Sequence, residues 1–275
     1  MLAHTLHPIP YTLYPHIEGD NRVKVLLILP VDIRRDEPLG VMYLSAALKA
    51  AGHQTELVIA GREDPVAVAR AFRPDVLAFS ITTGVHGAAL EINRRIRAAL
   101  PGVYSVFGGP HCTFFPEFIE SEGVDALCRG EGESAMVDLL AALQTGADPI
   151  ALPNWWIKRD GQIYRNAVRP LCADLDSLPY ADRDILAKYK HYREGRFAYF
   201  ITGRGCPFEC TYCFNHVYKQ IYQDGGRMVR RRSVDNVIGE IAQVVAGHRI
   251  RLVRFVDDTF ILSAKWVAEF AEKYR

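Results

Sequence analysis

Val23-Lys-Val-Leu-Leu-Ile-Leu29 is an apolar run rich in β-forming residues, with one charge at Lys24. Such a run predicts a strand covered on both faces, as in a parallel sheet flanked by helices. Outward from it the pattern alternates. Residues 39–51 place apolar side chains at helical spacing and stop at Gly52, a good helix terminator. Further strands are predicted over residues 55–59, 75–81, 103–107 and 126–128, and helices over 65–72, 88–100, 115–121 and 134–143. Strands alternating with helices imply βαβ units, hence an α/β fold with a doubly wound, Rossmann-like parallel sheet.

Ligands of such sheets bind outside the carboxyl ends of the strands, where strand order reverses. Small and glycine residues gather at those ends: Ser80, Thr82, Thr83 and Gly84 after the third strand, Gly108 and Gly109 after the fourth, Gly130 and Gly132 after the fifth. Glycines there let the backbone approach a large flat ligand, and they serve equally in ordinary βα turns.

The chain divides by texture. Residues 1–21 are an irregular lead-in, 22–145 the α/β domain, 146–196 a connector and 197–275 a second domain. Within the connector, Trp155-Trp-Ile-Lys-Arg-Asp-Gly-Gln-Ile-Tyr164 predicts a hairpin turning at Asp160-Gly161, a strong hairpin dipeptide. Trp155 and Trp156 read as packing anchors.

The second domain opens with an apolar strand pattern over residues 196–202 and the turn Gly203-Arg-Gly205. Then comes Cys206-Pro-Phe-Glu-Cys210-Thr-Tyr-Cys213, three cysteines within eight residues. Three thiolates are one short of the four ligands that usually hold a cubane cluster, which leaves one iron open. Two other readings share the residues: a zinc site completed by His216, and plain structural thiols. The chain has no second Cys-x-x-Cys pair, and Cys112, Cys128 and Cys172 sit singly, as buried small side chains do. Beyond the cysteines, Arg230, Arg231 and Arg232 form a basic run that reads as a solvated face or an anion contact. Ser233 caps a helix over 234–246, and a strand over 252–256 ends at Asp257-Asp258 before a helix over 264–274.

Composition narrows the class. With 275 residues, 49% hydrophobic and 24% charged, the chain has the make-up of a globular protein. A net charge of +1 gives no reason to expect nucleic acid. No apolar run is long enough to span a bilayer, the N-terminus lacks a signal pattern, and cysteine usage fits a reducing cytoplasm.

The cysteine spacing, with Tyr212 before the last cysteine and a strand leading in, resembles the signature of the radical S-adenosylmethionine enzymes. The resemblance implies a 4Fe–4S cluster on Cys206, Cys210 and Cys213, adenine contact near Tyr212, and S-adenosylmethionine- or substrate-facing acids at Asp257 and Asp258. In that family the open iron binds S-adenosylmethionine, and reductive cleavage gives a 5′-deoxyadenosyl radical. The family core is a partial (β/α) barrel. Only two βα units fit between Phe197 and Arg275, so the expectation is an incomplete core that does not turn over alone.

Pro38-Leu-Gly-Val-Met-Tyr-Leu-Ser-Ala-Ala-Leu48, Phe107-Gly-Gly-Pro-His111 and Cys128-Arg-Gly-Glu-Gly-Glu133 are similar to the cobalamin-binding domain that precedes many of these cores. This likeness implies cobalamin against Ser80, Thr82, Gly108, Gly109, His111, Gly130 and Gly132. Many such domains carry Asp-x-His-x-x-Gly after the first strand, with the histidine on cobalt. Here Asp32 is followed by Arg34 at the histidine position, which excludes imidazole ligation through that motif. The combined expectation is a cobalamin-dependent radical S-adenosylmethionine methyltransferase acting on a small molecule, with flavodoxin or ferredoxin as electron donor. An oxidative cyclase of tetrapyrrole type and a non-catalytic corrinoid- or cluster-binding module are the alternatives.

Overall fold

A computed structural model describes residues 22–32, 36–223 and 225–275. Chain order begins β1 Lys24–Leu29, α1 Leu39–Ala50, β2 Gln54–Ile59, α2 Pro65–Phe72, β3 Val76–Ser80, α3 His86–Ala99 and β4 Tyr104–Gly108. It continues with α4 Pro110–Phe114, β5 Ala126–Cys128, α5 Glu133–Thr145, β6 Trp155–Arg159 and β7 Gln162–Arg165. The helical segment expected over 115–121 is a short 3-10 helix of residues 116–120.

These seven strands make one sheet of order β2-β1-β3-β4-β5-β6-β7. The first five are parallel, and β1 lies between β2 and β3. The chain therefore winds outward to β2 and crosses back to β3, which creates the switch point in strand order. Val25, Leu27 and Leu29 pack in a layer with residues of α1 and α5. Leu26 and Ile28 pack on the opposite face with Ala69 of α2 and with Ala89, Ile92 and Ile96 of α3. Both faces of β1 are thus buried, as its unbroken apolar run requires.

The predicted hairpin forms, with a positive φ at both Asp160 and Gly161. It does more than connect. β6 pairs antiparallel with β5, placing Trp155 opposite Cys128 and Trp156 opposite Leu127. Trp155 packs in one layer and Trp156 in the other. The Trp155 indole N–H donates to the Ala135 carbonyl at 2.8 Å, which satisfies its buried polar atom.

The rest of the chain contains α6 Lys190–Arg193, β8 Phe197–Phe200, β9 Gly203–Arg204, α7 Asn215–Ile221, β10 Arg230–Arg231, α8 Val234–Gly247, β11 Leu252–Phe255 and α9 Ala264–Lys273. β8 and β11 are parallel neighbours, and β9 pairs antiparallel with β10. Ala198 and Phe200 pack with Val237, Ile241 and Val244 of α8 and Phe270 of α9. Ser233 caps α8 through Asn236 N–H, at 3.1 Å.

Candidate functional site

The carboxyl ends of β1, β3, β4 and β5 open into a cavity of about 490 Å³. Its floor includes Leu27, Ser80, Gly108, Gly109 and Cys128, and its opposite wall is built by Arg204, Gly205, Phe214, Asn215 and Tyr218 from the second half of the chain. The site therefore lies where the topology predicts a ligand crevice, and it is closed by the segment that carries the cysteines.

Of the residues expected against cobalamin, Ser80, Gly108, Gly109, Gly130 and Gly132 line this cavity. Thr82 and His111 are not among its lining. His111 is buried beside it, stacked on His86 with ring centroids 4.5 Å apart and edge-on to Phe118. Its Nδ1 meets the Thr83 hydroxyl at 3.1 Å. Burial, then the neighbouring His86, hold the His111 imidazole below its ordinary pKa. Arg34, at the motif's histidine position, lies outside the described residues.

The glycines do different jobs. Gly109 has φ +92°, and a Cβ there would sit 2.8 Å from the Ile81 carbonyl oxygen, so the backbone itself demands glycine. At Gly130 a Cβ would occupy the place of the Tyr222 hydroxyl, so this glycine admits a residue from the second half. A Cβ on Gly40 or Gly132 would meet no protein atom within 4 Å although both line the cavity. Such open, glycine-lined space suits a large flat ligand.

The Arg129-Gly-Glu-Gly-Glu133 turn carries an ionic clamp. Arg204 reaches Glu131 at 3.0 Å and Glu133 at 2.5 Å, and Arg230 reaches Glu131 at 2.8 Å. Arg230 also donates to the Cys172 carbonyl, and the Cys172 N–H donates to Glu131. Burial would push the Glu131 carboxyl up, but Arg204 and Arg230 outweigh it and hold the group below its ordinary value. Arg232 is buried as well, paired at 2.5 Å with Glu240. The basic run is thus not a solvated face. Arg230 and Arg232 are anchored inward, and Arg231 lies over the Trp266 ring.

The cysteines sit on the loop between β9 and α7. Cys206 and Cys213 are half-buried and Cys210 is exposed, and none is in a disulfide. Cys172, expected as a buried side chain, is only half-buried. The Lys219 ammonium braces the cysteine loop, donating to the carbonyls of Pro207 and Phe208 at 2.9 Å each. The Thr259 hydroxyl approaches Cys206 Sγ at 3.4 Å. Among the described residues no three His, Cys, Asp or Glu side chains are gathered as a metal-holding group, with or without His216. As a donor set the loop fits a cluster: three free thiols on one short segment, none sealed in the core. Tyr212 is 92% exposed, away from the cavity, whereas Asp258 lines it. Asp257 instead accepts from the Thr202 N–H at 2.9 Å and the Thr202 hydroxyl at 2.7 Å.

The sequence reading missed Glu131, Glu133, Arg204 and Asn215. The first two lie inside a quoted motif, but nothing in the sequence says that Arg204 faces them. Asn215 offered no signal.

Residues 36–140 match the model of the B12 binding domain family. The chain is 30% identical over 259 residues to an uncharacterized methyltransferase of Pyrococcus horikoshii, covering 88% of this chain and 55% of that protein. It is 29% identical to an anaerobic magnesium-protoporphyrin IX monomethyl ester cyclase of Cereibacter sphaeroides, over 86% of this chain and 40% of the cyclase. The chain thus spans about half or less of the length of these relatives. Among solved structures, the radical S-adenosylmethionine methyltransferase TsrM of Kitasatospora setae superposes with a TM-score of 0.70 at 19% identity, over 91% of this chain and 50% of TsrM. The cobalamin-dependent S-adenosylmethionine radical enzyme OxsB gives 0.73 at 21%, over 91% and 37%. These two share the fold. Residues 36–140 match a B12-binding domain, and the relatives that match across most of the chain are named as a methyltransferase and a cyclase.

Proposed function

We propose that this chain carries the cobalamin- and cluster-binding regions of an enzyme that uses S-adenosylmethionine to methylate an unactivated carbon of a small molecule. The observation that carries the reading is the cavity: a glycine-lined crevice at the switch point, inside the B12-binding match, walled by the residues that flank the cysteine loop. Cys206, Cys210 and Cys213 would hold a 4Fe–4S cluster, Ser80, Gly108, Gly109 and Gly132 would lie against cobalamin, and Asp258 would face S-adenosylmethionine. When bound, the cluster supplies the electron that cleaves S-adenosylmethionine, and cobalamin supplies a transferable methyl group.

The residues of the chain do the positioning. Glu131 and Glu133 hold Arg204, and through it the turn that leads into Cys206. Phe114 packs against Phe214 and Tyr218, which keeps the wall apolar where the halves meet. Low-potential electrons would come from a flavodoxin- or ferredoxin-like donor. The cyclase relatives support a second reading, oxidative ring closure with the same cofactors.

The test is anaerobic reconstitution with iron, sulfide and hydroxocobalamin. The expected result is about four irons per chain and one corrinoid with a base-off, His-off spectrum. Incubation with methyl-labelled S-adenosylmethionine and a strong reductant then separates the readings, because only methylation transfers label to product. Absence of any corrinoid binding would remove cobalamin from the mechanism.

A further inference from the structure

Most polar side chains around the cavity are spoken for. Glu131, Glu133, Arg204 and Arg230 saturate one another. The Thr113 hydroxyl donates to the Gly109 carbonyl and accepts from the Gly130 N–H. Asn215 differs. It is the first residue of α7, it lines the cavity, and it is only 7% exposed. Among the described residues its carboxamide has no hydrogen-bond partner. Its amide is not among the polar atoms sealed away from solvent, so a molecule in the cavity it lines can reach it. An amide in such a place is free to bond a ligand or water that enters the cavity.

We infer that Asn215 recognises a carboxamide side chain of the corrinoid from the wall opposite the sheet. This rests on the reading that the cavity holds cobalamin. A primary carboxamide presents one acceptor and two donor hydrogens, and its best mate is another primary carboxamide, which pairs with it reciprocally. The periphery of a cobalamin ring is edged with such groups. The surrounding wall supplies no second free donor–acceptor pair: Phe214 is apolar, and Tyr218 is bonded to Tyr222. The reach matters because Asn215 belongs to the helix that follows Cys213 and lies outside the residues matched to the B12-binding family. The corrinoid would be held from both halves of the chain, and the helix next to the cysteine loop would sense its presence.

The experiment is anaerobic spectral titration of the full, iron-reconstituted chain with two corrinoids. Dicyanocobinamide keeps the primary carboxamides; the heptamethyl ester of cobyrinic acid replaces them with esters that cannot donate. The unsubstituted chain should prefer the carboxamide form by about tenfold, the worth of one buried hydrogen-bonded pair. Asn215→Leu should bring that ratio close to one by weakening the carboxamide ligand, whereas Asn215→Asp, which still accepts from the carboxamide N–H but cannot donate, should keep the preference, with iron content and S-adenosylmethionine affinity retained in both. Asp, of the same shape as Asn, guards against a folding artefact in the Leu variant. An unchanged ratio in the Leu variant would overturn the assignment, and so would a loss of S-adenosylmethionine affinity with corrinoid binding intact. If the unsubstituted chain binds neither corrinoid, the cobalamin reading fails first and this one with it.

Discussion

β1 and β11 are both short apolar strands in parallel pairing, yet they live in different surroundings. β1 has strands on both sides and helices on both faces, and Val25 to Ile28 are essentially inaccessible. β11 pairs only with β8 among the described residues, and its Leu252 is 55% exposed. The first sheet is held by its own burial. Besides apolar contacts such as Phe114 on Phe214, the second half is tied to the first by charges: Arg204 and Arg230 on Glu131 and Arg204 on Glu133, while Arg183 of the connector pairs with Glu37 at 2.6 Å. Glu37 also accepts from the Tyr199 N–H of β8 at 2.7 Å. Paired buried charges fix position well, but breaking one pair leaves a desolvated partner behind. Damage to either half should therefore look different.

The sharpest break targets the least self-sufficient segment. Replacing Cys206, Cys210 and Cys213 together by Ala should take reconstituted iron from about four per chain to near zero. Far-UV circular dichroism should hardly change, because the sheet does not depend on the loop. Retained iron with the same spectrum would show that the cluster lies elsewhere.

Next comes the clamp. Glu131→Ala strands Arg230 and leaves Arg204 with Glu133 alone, and removal of one partner from a buried pair costs about 3–5 kcal/mol. Hydrogen exchange should rise in β9 and β10 while β1 and β3 stay protected. The pH dependence has a definite sign. The Glu131 carboxyl lies below its ordinary value of 4.5, so its stabilisation is present above the unfolded pKa. It is lost as pH falls through the lower folded value. Acidification below about 4.5 should loosen the junction in the parent chain and leave the Ala variant, already loosened, less affected. Equal protection in both chains at neutral pH would show that the charges do not carry the junction.

What was legible follows the same division. The runs of β1, β3 and β4 state their burial outright, and Gly108 and Gly109 mark the crevice by position. The junction was not legible, because Glu131, Arg204, Arg230 and Arg232 look in sequence like surface charges. Only the fold shows that they face one another. The hairpin could be read from Asp160-Gly161, but its union with β5 depends on which edge of the sheet is open. Asn215 was invisible for a related reason: an asparagine at a helix start is ordinary until the cavity beside it is known.

The two strands can be compared directly. Leu77→Ala in β3 removes a fully buried side chain and should cost about 2–5 kcal/mol in urea unfolding. Leu252→Ala in β11 should cost less than about 0.5 kcal/mol. Similar losses at both sites would mean that β11 is covered in solution by something the described residues do not provide.

The smallest expected effect comes from Asp257, which titrates with the opposite sign to Glu131. Its Oδ1 accepts from Thr202, but its Oδ2 is buried with no hydrogen-bond partner. Burial pushes the carboxyl above its ordinary value of 3.8, against the pull of Thr202, the Gly203 N–H and Arg231. A raised folded value means that its contribution is fully present below the unfolded pKa and is lost as pH rises through the folded one. At neutral pH the charged form is therefore held at some cost. Asp257→Asn keeps the Oδ1 acceptor for Thr202 and removes the desolvated charge. Relative to the parent, the variant should gain stability on going from pH 4 to pH 7, by about 1 kcal/mol or less. Urea unfolding of both chains at the two pH values measures the gap. A gap that stays constant, or widens toward acid, would mean that Asp257 is better paired at neutral pH than its buried, unpartnered oxygen implies.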